Sequence, residues 1–212
     1  MQEDVLSLLA ARNGHFLFES GHHGDLWLDL ELLCLRPRLV QPVAAELAKR
    51  LSRLGVEVVC GPLVEGAFVG LMVAAELNVN FSYSERFTRR AEEGLFPAGY
   101  RIPRSLQSRV REKRVAIVND VINAGSAVRG TFFDLQDCGA TVVAIGTLLV
   151  LGTAASEFAS GKNVVLESVA TLPNNLWKSS ACPLCSSGVP LEDVAGFRVA
   201  LQGGAPTHNS PT

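Results

Sequence analysis

No sign of charge dominates this chain of 212 residues: 19 lysines and arginines stand against 21 aspartates and glutamates, a formal net charge of −2. That balance excludes a broad basic surface for nucleic acid, because phosphate backbones are bound through an excess of lysine and arginine. Charge is scarce altogether, 19% against 48% apolar, and this excludes a disordered, solvent-expanded chain. Long hydrophobic runs are lacking too. The longest, residues 141–155, is interrupted by Gly and Thr and falls short of the roughly 18 residues a membrane span needs. The first residues carry Glu3 and Asp4 where a secretory signal is basic. The expectation is a soluble, cytoplasmic chain with no membrane or nucleic-acid partner, whose apolar excess is buried in sheet, helix layers or a subunit interface. An even cysteine set is also missing. Five cysteines, Cys34, Cys60, Cys138, Cys182 and Cys185, argue against a disulfide framework. Cys60 and Cys138 sit in or beside apolar segments and read as small core residues.

What is present alternates between strand and helix signals. Residues 2–12 have helical spacing at Val5, Leu8 and Leu9, stopped by Asn13 and Gly14. Residues 15–21 and 24–33 read as a ribbon, the second by the alternation of Leu26, Leu28, Leu30 and Leu32 with polar or aromatic residues. Pro37 opens a helix that Gly55 stops. Short buried strands are expected at 56–60 and 79–83, with a small-residue helix, 67–77, between them. Residues 84–114 show no core periodicity and read as a long functional arm. Val115, Ala116, Ile117 and Val118 form a central parallel strand. A helix to Cys138, a strand at 141–151, a short helix and a last strand at 163–170 follow. Strand alternating with helix predicts an α/β fold, a Rossmann-like parallel sheet flanked by helices. No internal repeat is visible, and the Gly, Pro, Ser and Thr of residues 203–212 read as a disordered tail.

The chemistry concentrates where the central strand ends. Asn119 and Asp120 fall at its carboxyl end, where open α/β sheets bind ligands. Val121, Ile122, Asn123, Ala124, Gly125, Ser126 and Ala127 then turn into a helix. Free backbone N–H groups at a helix start suit a phosphate. Gly125 permits close backbone approach and Ser126 offers a hydroxyl. A carboxylate just before such a nest suits sugar hydroxyls or magnesium. A plain helix cap with an aspartate on a loop is the alternative reading.

This stretch resembles the 13-residue ribose-phosphate signature of type I phosphoribosyltransferases, and over most of the chain the resemblance is closest to the orotate phosphoribosyltransferases. Phe16-Leu-Phe18-Glu19-Ser-Gly21 and Trp27-Leu-Asp29 are similar to that family's N-terminal elements. Gly61-Pro-Leu63-Val64-Glu65-Gly66 is similar to its pyrophosphate loop, and residues 84–104 occupy the place of its catalytic loop. The resemblance implies one domain, 1–202, with a core at about 36–170 and a hood from about 1–35 and 171–200. It implies transfer of 5-phosphoribosyl from 5-phosphoribosyl 1-pyrophosphate (PRPP) to a nitrogenous base, with Mg2+ carried on the substrate and water rather than on direct protein ligands. Asp120, Arg90 and Arg86 would be catalytic. Residues Asn119 to Ala127 would hold the ribose 5-phosphate. Leu63, Val64, Glu65, Gly66, Arg86 and Arg90 would hold pyrophosphate, and Phe16, Phe18 and Glu19 the base. A homodimer is implied as well, with the ribbon around Trp27 a candidate interface.

The chain departs from the family at charged positions. Asn119 replaces the first acid of the signature and Asn123 its usual Thr. Arg86 matches the family's Arg, Phe87 stands for a Lys, Arg90 for the catalytic Lys, and Glu92 near its His. Arg keeps the charge but changes the geometry. Glu19 stands where a Lys is usual, and Leu148-Leu-Val-Leu-Gly152 replaces an element whose Arg meets the orotate carboxylate. Charged hydrogen bonds contribute about 1.5–3 kcal/mol each, so the expectation is an acceptor that is neutral or amine-bearing, unless Lys49, Arg101 or Arg104 compensates. Two readings of function stand. Asp120, Gly125, Ser126, Arg86 and Arg90 favour a catalytic phosphoribosyltransferase. Asn119 and Phe87 favour a non-catalytic PRPP- or nucleotide-binding regulatory relative.

Cys182-Pro-Leu-Cys185 has the two-residue gap of a redox turn or a zinc knuckle. Some members of the resembling family carry a similar pair. A structural turn, a reversible disulfide and a zinc site all fit. Zinc needs four ligands and no second pair is present; His22, His23 or a second copy could complete it, and the spacing points to none of them.

Overall fold

A computed structural model describes residues 1–18, 20–88 and 98–194. In chain order its first half holds α1 (Gln2–Leu8), β1 (Arg12–Leu17), β2 (His22–Trp27), a 3-10 segment (Leu30–Leu35), α2 (Pro37–Leu51), β3 (Val58–Pro62), α3 (Glu65–Leu77) and β4 (Asn80–Thr88). Then come β5 (Ala98–Arg101), α4 (Arg104–Val110), β6 (Arg114–Ile122), α5 (Ser126–Asp137), β7 (Thr141–Leu151), α6 (Ala154–Gly161), β8 (Val165–Leu172), β9 (Leu176–Lys178) and α7 (Pro183–Ser186). The chain divides into two units, Met1–Ala10 with Asp29–Asn174, and Ala11–Leu28 with the chain from Asn175 onward. Residues 1–10 and 29–35, grouped with the hood from sequence, fall in the larger unit. Among the described residues, no helix is long and apolar enough to cross a membrane.

The larger unit is built on six strands in the order β5-β4-β3-β6-β7-β8. All neighbours are parallel except β4 and β5. This is the α/β parallel sheet expected from the alternating pattern. Helices form where apolar residues recur at helical spacing. In α2, begun by Pro37, the buried positions are Val40, Val43, Ala44, Leu47, Ala48 and Leu51, one continuous stripe. In α5 they are Val128, Thr131, Phe132 and Leu135, and Gly139 at φ 81° ends the run. Between β3 and β6 the strand order reverses. β3 leads through α3 to β4 on one side, and β6 leads through α5 to β7 on the other. A crevice opens at the carboxyl ends of strands at such a switch point.

Two segments differ from the sequence reading. Residues 24–33 are not one strand. β2 stops at Trp27, the partner of Arg12 at the start of β1, and beyond that point there is no β1 residue left to pair with. The chain turns instead into the 3-10 segment, which buries Leu33 and exposes Leu32 and Leu35. Residues 84–114 are not wholly irregular. β4 extends to Thr88, β5 returns antiparallel to it, and α4 follows. Ile102 and Val110 are fully buried and Leu106 packs with them. The Ile102 N–H donates to Asp134 Oδ2 at 2.6 Å, fixing this return to α5.

The smaller unit is a three-stranded antiparallel sheet, β1-β2-β9. Phe16 and Phe18 each pack on Trp27 with ring centroids 6.0 Å apart. The 203–212 tail lies outside the described residues.

Candidate active site

β6 delivers the site's acid. Val115 to Val118 are wholly buried in the sheet, so the strand is held on both faces and its end is fixed. Asp120 comes next but one and is only 5% exposed. Its backbone carbonyl accepts a hydrogen bond from Thr147 Oγ1 on β7 at 2.8 Å. Burial pushes its carboxyl up to about 6, against the backbone N–H groups of Val121 and Asp120 itself that favour the charged form, and the Glu65 carboxylate adds to the rise. Asn119, which takes the place of an acid, donates from Nδ2 to the Val121 carbonyl at 2.8 Å. It braces the turn instead of offering charge.

The turn itself exposes Asn123, Ala124 and Ser126. Gly125 is the N-cap of α5 at φ 75°, ψ 20°, a left-handed conformation that glycine adopts at no steric cost. Its carbonyl accepts the first helical bond, from the Arg129 N–H at 2.9 Å. The N–H groups of the helix's first turn have no acceptor within the helix. Gly125 offers no side chain to cap them. A phosphate answers both the unmet donors and the helix dipole. Asn123 is tied from outside the turn, accepting from Asn174 Nδ2 at 2.6 Å. Val121 is half-buried and the Ile122 side chain buried, so these two contribute backbone and packing.

A second helix start faces the same switch point. The turn from β3 to α3 is tight because two glycines let the chain close up. A Cβ on Gly61 would lie 2.6 Å from the Ala67 Cα, and one on Gly66 would run into Asn119 Oδ1. The Leu63–Val64 peptide bond of this turn is cis. The Leu63 N–H donates to the Ser84 carbonyl at 2.9 Å, and Leu63 and Val64 are exposed. Glu65 opens α3 and is half-buried. A third segment joins them. Burial pushes the Cys34 thiol up, and Asp120 and then Glu65 push it further. Cys34 therefore lies within electrostatic reach of both acids.

Arg86 lies on β4, exposed, opposite Tyr100 of β5. Two residues earlier, Ser84 Oγ meets Thr131 Oγ1 of α5 at 2.6 Å, so alternation along the strand puts Arg86 on the α5 side. Phe87 faces the other way, under the Arg101 guanidinium at 5.3 Å. Arg90, Glu92 and Glu19 lie outside the described residues. Phe16 is fully buried and has no surface left for a base, so its assignment as a base contact is corrected to core packing. Phe18 is half-buried. Cys182 is buried, Cys185 exposed, and both are free thiols at the α7 turn. Sequence reasoning missed Thr147 and Cys34. Neither carries a local signal, because each reaches Asp120 from a different part of the chain.

No family model matches the chain. Individual proteins do. An orotate phosphoribosyltransferase of Thermotoga maritima is 31% identical over 183 residues, covering 86% of this chain and 90% of the relative. The chain belongs to the orotate phosphoribosyltransferase family. A second member, from Desulforamulus reducens, is 30% identical over 89% of this chain and 94% of its own length. Among solved structures, orotate phosphoribosyltransferase from Aeropyrum pernix superposes with a TM-score of 0.64 at 25% identity, over 81% of this chain and 94% of that one. An adenine phosphoribosyltransferase from Thermoanaerobacter pseudethanolicus gives the same TM-score at 18% identity, over 81% of this chain and all of its own, which speaks for the fold. The chain is thus a phosphoribosyltransferase, and the reading of it as a non-catalytic relative gives way.

Proposed function

We propose that this phosphoribosyltransferase joins the 5-phosphoribosyl group of PRPP to a nitrogenous ring without a carboxylate, releasing pyrophosphate. A bond forms from a ring nitrogen to C1 of the sugar, the bond from C1 to the pyrophosphate oxygen breaks with its electron pair leaving on that oxygen, and the proton of the ring N–H passes to the pyrophosphate or to solvent. The first turn of α5 holds the 5′-phosphate and Asp120 takes the ribose hydroxyls. Arg86, with Arg90, meets the charge that builds on the leaving pyrophosphate; groups aimed at developing charge are the usual source of such acceleration. The names of its relatives support a place in pyrimidine nucleotide synthesis.

Magnesium fits this site as a passenger on the substrate. Asp120 and Glu65 are close enough for each to bear on Cys34 and for Glu65 to bear on Asp120, so bare pyrophosphate would be repelled and its magnesium complex accepted. Bound there, the metal would supply neutralisation of the leaving group.

One observation carries the choice of acceptor. β7 lies beside β6, with Ile122 opposite Val150. At its carboxyl end Leu148, Leu149, Val150 and Leu151 are buried and Gly152 follows, so that end of the strand presents no cation to a carboxylate. The test measures pyrophosphate release from PRPP and magnesium across a panel of bases. Release with a neutral or amine-bearing pyrimidine well above that with orotate is the expected result. Orotate as the preferred acceptor would refute the proposal.

A homodimer is part of the same proposal. Leu32 and Leu35 of the 3-10 segment, Leu39 of α2, and Phe68 and Leu71 of α3 are all exposed on elements that pack together. Such apolar exposure suits a second copy of the chain, and sedimentation would show a dimer that a charge at Leu71 weakens.

A further inference from the structure

His15, His23, Cys182 and Cys185 bring four potential ligand atoms within 4.8 Å of one another, all inside the smaller unit. We propose that they form a structural zinc site.

The geometry argues for it directly. His15 Nε2 lies 3.0 Å from His23 Nδ1, 3.4 Å from Cys182 Sγ and 3.7 Å from Cys185 Sγ, and Cys185 Sγ lies 3.2 Å from His23 Nδ1. Tetrahedral zinc, with bonds of about 2.3 Å to sulfur and 2.0–2.1 Å to nitrogen, sets its ligands about 3.3–3.8 Å apart. A small adjustment of side chains would seat the ion. The tautomer of His15 is also set. Its Nδ1 lies 2.9 Å from the Val189 carbonyl oxygen. A carbonyl only accepts, so Nδ1 carries the proton and a neutral ring leaves Nε2 bare and aimed at the cluster. Orientation of a ligating imidazole through its second nitrogen is a regular feature of zinc sites. His15, His23 and Cys182 are buried.

The backbone around the thiols is built as a knuckle. Cys182 caps α7, the Ser186 N–H donates to the Cys182 carbonyl at 3.3 Å, and the Gly188 N–H to the Cys185 carbonyl at 3.0 Å. Two nitrogens and two sulfurs in a tetrahedron select zinc. Four protein ligands close the coordination shell, so the site is structural and not catalytic. Binding forms two zinc–thiolate bonds and releases the two thiol protons to solvent. It would tie the β1–β2 ribbon to a helix whose Cys182 lies 167 positions from His15, closing a long loop of chain.

The test uses the full chain, expressed with zinc and dialysed against metal-free buffer. Elemental analysis should find about one zinc per chain. Cobalt exchanged into the chelated protein should show intense d–d bands of a tetrahedral site with thiolate charge transfer. Because Cys185 is exposed, Cys185→Ser should fold, yet bind zinc roughly tenfold or more weakly and lose part of the charge-transfer intensity. Protein without zinc and without cobalt bands overturns the proposal. So does a disulfide joining Cys182 to Cys185, found by mass spectrometry of the unreduced protein. Transferase turnover is not the readout, so the site stands or falls apart from the acceptor.

Discussion

Gly66 and Asn119 are pressed together across the switch point: a methyl group at position 66 would run into Asn119 Oδ1 and stand 3.3 Å from its Cα. This contact lets the start of α3 lie against the end of β6, and so brings Glu65 towards Asp120. Gly66→Ala should therefore destabilise the protein by about 1–3 kcal/mol, the usual cost of overpacking. Asn119→Ala in the same chain removes Oδ1 but leaves the Cα, so it should recover part of the loss and not all. Urea denaturation of the two single variants and the double measures the recovery; strictly additive losses would show that the contact is not tight.

Asp120 makes a pH prediction. A carboxyl whose pKa is near 6 folded and 3.8 unfolded binds more protons in the folded state. Stability then falls as pH rises from about 4 to about 6, and the full penalty remains above that range. About two pH units at 1.36 kcal/mol each give a penalty near 3 kcal/mol. Asp120→Asn should lose PRPP binding while melting higher than the parent at pH 8, with little gain at pH 4. In the parent, kcat/KM should rise through about pH 6 as the carboxylate forms. A stability difference between parent and variant that does not change with pH would sink this account.

Ser84 and Thr131 share one buried hydrogen bond at 2.6 Å, which links β4 to α5 beneath Arg86. Removing either hydroxyl leaves the other to find a partner in the interior, at a cost of about 1–3 kcal/mol. Ser84→Ala with Thr131→Val removes both, so the double variant should cost less than the two singles together. Thermal unfolding closes the cycle, and a coupling below about 0.5 kcal/mol would show that the hydroxyls act independently.

What could be read from sequence follows from how local each signal is. Val115 to Val118, Asp120 and Gly125 form one strand, turn and helix within a dozen residues, so the framework of the candidate site was legible. So were β7, an apolar run broken only by Gly146 and Thr147, and the stripe of α2. The ends of β2 and β4 depend on where a partner strand stops or returns, which period-two alternation does not contain. The spacing of Ile102, Leu106 and Val110 was a usable helical signal, hidden among arginines and polar residues. His15 and His23 meet only because β1 and β2 pair with a shift in register between Asn13 and Phe16, and no spacing along the chain announces that.

The pyrophosphate-holding role proposed for Arg86 can be tested apart from the integrity of the fold. It is exposed on β4, so Arg86→Ala should leave the melting temperature nearly unchanged, as surface substitutions do. Loss of a charged hydrogen bond to pyrophosphate, about 1.5–3 kcal/mol, should weaken PRPP roughly ten- to a hundredfold. Arg86→Lys keeps the charge without the two-pronged guanidinium and should fall between parent and alanine variant. Steady-state kinetics with PRPP varied, beside direct titration of pyrophosphate, would measure both effects. Unaltered affinity for both ligands in Arg86→Ala would remove Arg86 from the site and leave the clamp to the basic residues that follow it in the chain.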